Sequence, residues 1–338
     1  QMGETREEGG HILSRDFAIN HFVLSLYTHK ALTIFNICRK MLNIIEQEND
    51  MYHIIVNPIG GKGKSLKALE KVEKLFKKHG AEYTVHKTEY AGHATEIARE
   101  LSQTPDTKIV AMGGDGSFHE VLCGIENFDN VTLGLVACGS GNDFIKKSGH
   151  PQKIEDAVEL ILKGNESYVD FMELGNQRCI NVGGGGMDVD VLLKYANVKA
   201  LKGKAAYYYS LLYTLLHTRF HHLRLTIDGE TRDMSVFMIG VGNGGFIGGG
   251  IPICPNAKVD DGLLHVGYVK EVKKCTIPAK LVKFLGGKHV GTDWGGEFVG
   301  KEITIEALDD SRFELDGEII EDTTLNIKVV HDTLKMFR

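Results

Sequence analysis

The chain has 338 residues, of which 42% are hydrophobic and 25% charged, and its formal net charge is −6. That length accommodates two domains with real cores, and the ordinary composition excludes a disordered or fibrous chain. The acidic balance gives no overall field for nucleic acid, so an anionic partner would have to meet a local patch.

Residues 1–50 differ in texture from the rest of the chain. An apolar stretch from Phe17 to Ile45 is broken by His21, His29, Lys30, Arg39 and Lys40, whereas a spanning helix needs about 20 mostly apolar residues in a row. The early basic flank and cleavage site of a signal peptide are also missing. The stretch reads as an appended or upstream-translated helix ahead of a start at Met51, and the opening at Gln1 fits processing, tagging or trimming. An amphipathic membrane anchor is the other reading.

From Met51 the pattern is regular. His53 to Val56 is a short apolar run ending at Asn57-Pro58, as for a buried strand that meets a loop. Leu66, Leu69, Val72, Leu75 and Phe76 recur at helical spacing until Gly80. Strands are expected at Tyr83–His86, Lys108–Met112 and Val131–Ala137, and helices at His93–Leu101, Phe118–Ile125 and Ile154–Leu162. Alternation of this kind predicts a doubly wound, mostly parallel sheet, which binds ligands beyond the carboxyl ends of its strands. After about residue 170, helices become rare apart from Ala205–His217, and glycines cluster at 183–186 and 242–250. Leu223–Ile227 with Asp228-Gly229, and Phe313–Leu315 with Asp316-Gly317, read as hairpin arms and turns. A mostly antiparallel, β-rich second domain is therefore expected. Six cysteines form no Cys-x-x-Cys pair, which fits thiols in a reducing, cytoplasmic setting.

Three glycine-rich loops lie at the predicted strand ends. Asn57-Pro58-Ile59-Gly60-Gly61-Lys62-Gly63-Lys64-Ser65 nearly spells a P-loop, but Pro58 stands where the opening glycine belongs. A phosphate cradle and a tight strand-to-helix turn both fit it. In Gly113-Gly114-Asp115-Gly116-Ser117 the glycines allow close backbone approach, and the Asp115 carboxylate offers hard oxygens to a nucleotide-bound magnesium ion. His119 breaks any dinucleotide fingerprint. In the third loop, Gly139-Ser140-Gly141-Asn142-Asp143-Phe144, Ser140 or Asn142 suits a cap as well as a ligand. His221 and His222 are read as surface or turn residues, since neighbours on a strand point to opposite faces.

Taken together, these spaced motifs resemble the diacylglycerol kinase catalytic domain and its bacterial lipid kinase branch, related to sphingosine and ceramide kinases, over residues 51 to 338. Gly-Gly-Asp-Gly alone is shared with NAD kinases and phosphofructokinases. The resemblance implies a nucleotide-binding domain (51–170 and 322–338, with Leu325–Val330 as a returning strand) and a lipid-side domain (171–321). It implies ATP lined by Asn57, Thr88, Gly113, Gly114, Asp115, Gly116, Ser117, Ser140, Asn142 and Glu318. Asp115, Asp143 and Asp170 match an aspartate network that holds catalytic Mg2+ through water. Asp261, with the carbonyls of Lys258 and Leu263, matches a structural metal loop. Asp316 matches the general base, a role that suits a weakly nucleophilic lipid hydroxyl. Serine stands at 117 and 140 where the family usually has threonine.

The function implied is transfer of the ATP γ-phosphate to diacylglycerol or a similar lipid. Peripheral contact with an anionic membrane is implied too, as is a homodimer. Lys67, Lys71, Lys74 and Lys78 share one helix face with Lys62 and Lys64 ahead, and Lys280, Lys283 and Lys288 form a second group; either is a docking patch or a solvated face. An NAD kinase-like phosphotransferase and a non-catalytic nucleotide-binding regulator are the competing readings.

Overall fold

The computed structural model describes residues 51–198, 201 and 204–338, so the expectations for 1–50 lie outside the described residues. In chain order the elements begin β1 (Tyr52–Val56), α1 (Gly60–His79), β2 (Tyr83–Lys87), α2 (His93–Leu101), β3 (Thr107–Gly113), α3 (Asp115–Gly124), β4 (Val131–Ala137), α4 (Ile145–Ser148) and α5 (Ile154–Lys163). Then come β5 (Glu166–Leu174), β6 (Gln177–Cys179), β7 (Val182–Gly186), α6 (Met187–Asn197), α7 (Lys204–Leu216), β8 (His221–Ile227), β9 (Glu230–Gly242), β10 (Phe246–Ile247) and β11 (Ile251–Pro252). The chain closes with β12 (Leu264–Lys270), α8 (Ile277–Leu285), β13 (Gly295–Gly300), β14 (Glu302–Ala307), β15 (Phe313–Leu315), β16 (Glu318–Ile320) and β17 (Thr324–Phe337).

Strands β2, β1, β3 and β4 lie side by side and parallel, with Tyr52 opposite both Tyr83 and Lys108. Their apolar runs are buried on both faces, as a helix-covered sheet requires. Ile55, Ile109 and Leu133 pack with Phe118, Val121 and Leu122 of α3. Their neighbours Ile54, Val56, Val110 and Val136 point the other way, onto Leu69, Val72 and Phe76 of α1 and Val158 of α5. The α/β expectation and the β-rich second part both hold: β7, β9, β8, β14 and β12 pair antiparallel over a second core.

Four details differ from expectation. Helix α1 starts at Gly60, six residues early, because the glycine loop itself winds into its first turn. Helices α6 and α8 were not anticipated; α6 comes directly after a glycine strand with no cap signal and is opened by Asp188 and Asp190. Within β17, residues 324–328 pair with β14, and the parallel return beside β4 comes only at Lys335 and Met336. Finally, His221 is a buried residue whose ring bonds Ser311 Oγ (2.8 Å) and Asp190 (3.2 Å), while His222 is exposed.

Candidate active site

The three glycine loops meet at the carboxyl ends of β1, β3 and β4. Gly113 O accepts hydrogen bonds from the amides of Cys138 (2.8 Å) and Gly139 (3.2 Å), which zips the second loop to the third. A Cβ on Gly139 would lie 2.5 Å from Gly114 Cα, so only glycine permits this approach. Likewise a Cβ on Gly61 would lie 2.7 Å from Cys138 O, which ties the first loop to the third. Asn57 is fixed by its own turn, its Oδ1 accepting from Ile59 N (3.1 Å). Asn57, Thr88 and Ser117 line one small cleft. Asn142, held at φ 49° with its Nδ2 donating to Gly139 O, leaves its buried Oδ1 without a partner. Gly116 and Ser140 are exposed at the loop tips.

Asp115 opens α3, where the helix dipole favours negative charge. Its Oδ1 accepts from Phe144 N (3.2 Å). Burial nevertheless raises its pKa above the usual carboxylate range, against the pull of the Asp143 and Phe144 amides. Asp143 is buried beside it, with one oxygen on Lys146 Nζ (2.5 Å) and the other on Gly249 N (2.7 Å).

Asp316 sits at the β15–β16 turn with φ 49°, the backbone strain that the Asp-Gly pair allows. Its side chain is almost wholly buried. Oδ1 accepts from the amides of Asn181 (3.3 Å) and Val182 (3.2 Å); Oδ2 accepts from Ile180 N (3.2 Å) and His119 Nδ1 (3.1 Å). Burial alone would lower the His119 imidazole, but the Asp316 and Cys123 contacts outweigh it and raise the pKa to about 10. An imidazolium thus faces the carboxylate at neutral pH. Sequence reasoning noticed His119 only as an interruption; its four-residue spacing from Asp115 on one helix face was the available signal. Two further acids were missed. Asp188, on α6, and Glu314, two residues before Asp316, face the same space, and burial pushes both above the usual carboxylate range.

These carboxylates lie in the wall of a cavity of about 300 Å³. Asn181 joins them, and most of the remaining wall is apolar, with Met187, Val191, Leu211, Leu215, Met238 and Phe284 among its residues. A Cβ on Gly184 would lie 2.2 Å from Ile239 O, so β7 must be bare to slot between β15 and β9.

Other expected site residues are held by different partners. Among the described residues Asp170 makes no direct hydrogen bond to Asp115 or Asp143: β5 pairs with β17 so that Phe171 faces Val330, and the next residue, His331, bulges out to bond Asp170 Oδ1 (2.6 Å). Its other oxygen accepts from Gly262 N (2.7 Å), so Asp170 braces the 258–263 loop instead. There Asp261 Oδ1 accepts from Leu263 N (3.2 Å), and the carbonyls of Lys258 and Leu263 accept no loop hydrogen bond among the described residues. This oxygen-only set suits a hard cation such as magnesium. Among the described residues, no three His, Cys, Asp or Glu side chains converge as a metal cage. Glu318 is exposed on the hairpin, and its side chain has no hydrogen bond among the described residues.

The architecture defines a class: an α/β half with phosphate-type glycine loops, joined to an antiparallel β-rich half, with a largely apolar cavity whose wall includes carboxylates. Family comparison makes this specific. The diacylglycerol kinase catalytic domain matches residues 51–174, and the YegS C-terminal NAD kinase beta sandwich-like domain matches residues 182–338. The chain belongs to this lipid kinase family. It is 27% identical to a diacylglycerol kinase of Bacillus subtilis, over 78% of this chain and 88% of that one. It is 28% identical to the probable lipid kinase YegS of Escherichia coli, over 82% and 93%. A solved structure from Bacillus anthracis, provisionally called a diacylglycerol kinase, superimposes with a TM-score of 0.67 at 27% identity, covering 85% of this chain and 96% of that one.

Proposed function

We propose that the protein transfers the γ-phosphate of ATP to a hydroxyl of diacylglycerol or a closely similar lipid, giving phosphatidic acid or its analogue. The observation that carries this reading is the cavity: a largely apolar chamber whose wall includes Asp316, Asp115 and Asp143. An acyl chain fills such a wall, and its hydroxyl head then meets the carboxylates.

The nucleotide reading rests on the joined glycine loops. Asn57, Thr88 and Ser117 offer polar groups at one cleft, and Gly113, Gly114 and Gly116 leave the start of α3 bare for phosphate. The unpartnered Asn142 Oδ1 awaits a donor. Asp115, at the head of α3 and on the cavity wall, is the ligand best suited to Mg2+, which keeps most of its waters and needs few protein oxygens. Asp143 supports it from beside Lys146 and Gly249. Magnesium would neutralise charge on the transferring phosphate. A second hard cation suits the loop of Lys258, Asp261 and Leu263, with no role in the transfer.

Asp316 serves as general base. Three amides fix its carboxylate, and the lipid hydroxyl displaces one donor to hand over its proton as the phosphate arrives. The test is phosphate transfer from labelled ATP with magnesium to a panel of lipids in mixed micelles, with Asp316→Asn alongside. Labelling of diacylglycerol that falls at least about a hundredfold in the variant is expected. Labelling of another lipid would rename the acceptor. ATP binding with no labelled lipid would sink the kinase reading in favour of a nucleotide-binding regulator, and labelling of NAD would move the assignment to that acceptor.

A further inference from the structure

Helix α3, which opens with Asp115, also sets His119 and Cys123 one turn apart on one face. The His119 ring lies between two partners: Nδ1 donates to Asp316 Oδ2 (3.1 Å), and Nε2 faces Cys123 Sγ (3.7 Å). Acid, imidazole and thiol thus stand in line, the order in which an oriented imidazole activates a nucleophile. Because the ring is charged at neutral pH, it puts a positive charge beside the sulfur. Arg178 adds a second: its Nη1 donates to Leu122 O (3.1 Å) and to Ile125 O, on either side of Cys123. That guanidinium offsets the negative end of the helix dipole, which would otherwise oppose a thiolate at the close of α3. Reactive cysteines occupy such electropositive, partly exposed places, and Cys123 is half-buried.

Burial pushes the thiols of Cys138, Cys179 and Cys254 up, which keeps them protonated and inert. Cys123 differs from them in a second way: it touches both devices that hold Asp316. One is His119. The other is the segment that follows β6, since the thiol donates to Arg178 O (3.4 Å), and two residues further on begin the amides of Ile180, Asn181 and Val182 that fix the Asp316 carboxylate. A change at this one sulfur therefore reaches the imidazole and the strand end together.

We propose that Cys123 is a modification site for low-molecular-weight disulfides of the glutathione type, through which Asp316 is switched off as a base. The switching half rests on the lipid-kinase reading. The Cys123 thiolate attacks one sulfur of the small disulfide. A new Sγ–S bond forms as the old S–S bond breaks, and the leaving thiolate takes up a proton in place of the one the Cys123 thiol gave to solvent. The cysteine is oxidised, the small disulfide is reduced, and excess dithiol reverses the exchange. The bonded sulfur has no proton for Arg178 O and no charge for the imidazolium, and it carries a bulky group beside the ring that positions Asp316.

The experiment uses the full chain with Cys275→Ser and Cys38→Ser, which remove the exposed thiol and the one outside the described residues. Glutathione disulfide is added near neutral pH, and the product is followed by intact mass and peptide mapping. Addition is expected on Cys123, and His119→Gln, shown to be folded by its binding of a non-hydrolysable ATP analogue, should slow it at least about tenfold. Phosphate transfer should fall at least about tenfold in the treated protein and return with dithiothreitol, while analogue binding changes less than about threefold. Cys123→Ser should hold whatever rate it starts with throughout the treatment. Addition at another cysteine, addition to His119→Gln at the unsubstituted rate, or a modified protein that transfers phosphate as before would each overturn the proposal. So would loss of analogue binding together with activity, which marks unfolding rather than a switched base. Mass reads the exchange without phosphate transfer, so failure of the thiol site and failure of the kinase reading are told apart.

Discussion

Replacing His119 with glutamine keeps a donor of similar length and removes the positive charge facing Asp316. The folded-state pKa of about 10 lies above the ordinary 6.5, so the pair's stabilisation is fully present below pH 6.5 and is lost as pH rises through about 10. At about 1.4 kcal/mol for each tenfold change in proton affinity, the ceiling is roughly 5 kcal/mol. Asp316 keeps its three amide donors when the imidazolium goes, and glutamine still donates, so the expected loss is about 3 kcal/mol at pH 6. By pH 10 the gap between wild type and variant should shrink below about 1 kcal/mol. The assay is urea unfolding at pH 6, 8 and 10. Both proteins should keep Cys123, because that thiol faces the other ring nitrogen at 3.7 Å and shares in raising the imidazole. A gap equal at pH 6 and pH 10 would refute the charged-pair assignment, since a neutral hydrogen bond has no such pH dependence.

Gly139→Ala should push the second and third loops apart, given the 2.5 Å approach to Gly114 Cα. Calorimetry with a non-hydrolysable ATP analogue is expected to show at least tenfold weaker binding, at a stability cost of about 1–3 kcal/mol. Asp115→Asn should abolish magnesium-dependent transfer. Because burial raises the Asp115 pKa, its ionisation opposes folding, so the variant should resist urea better than wild type at pH 8 and equally at pH 4. Stripping divalent cations with EDTA should lower the melting temperature through the 258–263 loop, and Asp261→Ala should erase that shift.

Much of the α/β half could be read from the chain because its strands are uninterrupted apolar runs and its helices end at glycines such as Gly80 and Gly164. The glycine loops declared their own contacts, since Gly113, Gly114 and Gly139 stand where no side chain fits. The second half was harder. Helix α7 buries Ser210 and Thr214 alongside Leu211 and Leu215 while Leu212 and Leu216 lie exposed, so periodicity gives its length and says nothing of its orientation. The setting of Asp170 was illegible for a different reason. Its partner His331 lies 161 positions away and reaches it through a bulge in β17, a register break that single-strand patterns do not encode. The His119–Asp316 pair spans 197 positions, and only the docking of the β15–β16 turn onto α3 reveals it.

The parallel return of β17 bears on how the chain folds during synthesis. Leu334, Met336 and Phe337 are fully buried, in the two clusters that flank the nucleotide-side sheet. Beside β4 they occupy the place of a central strand, so until they emerge from the ribosome the first half keeps an open edge and two unfilled cores. The earliest part of the domain to be translated therefore waits for nearly the latest. A stalled or clipped product lacking those few residues would be a target for chaperones and proteases, even though every glycine loop of the site had already been made.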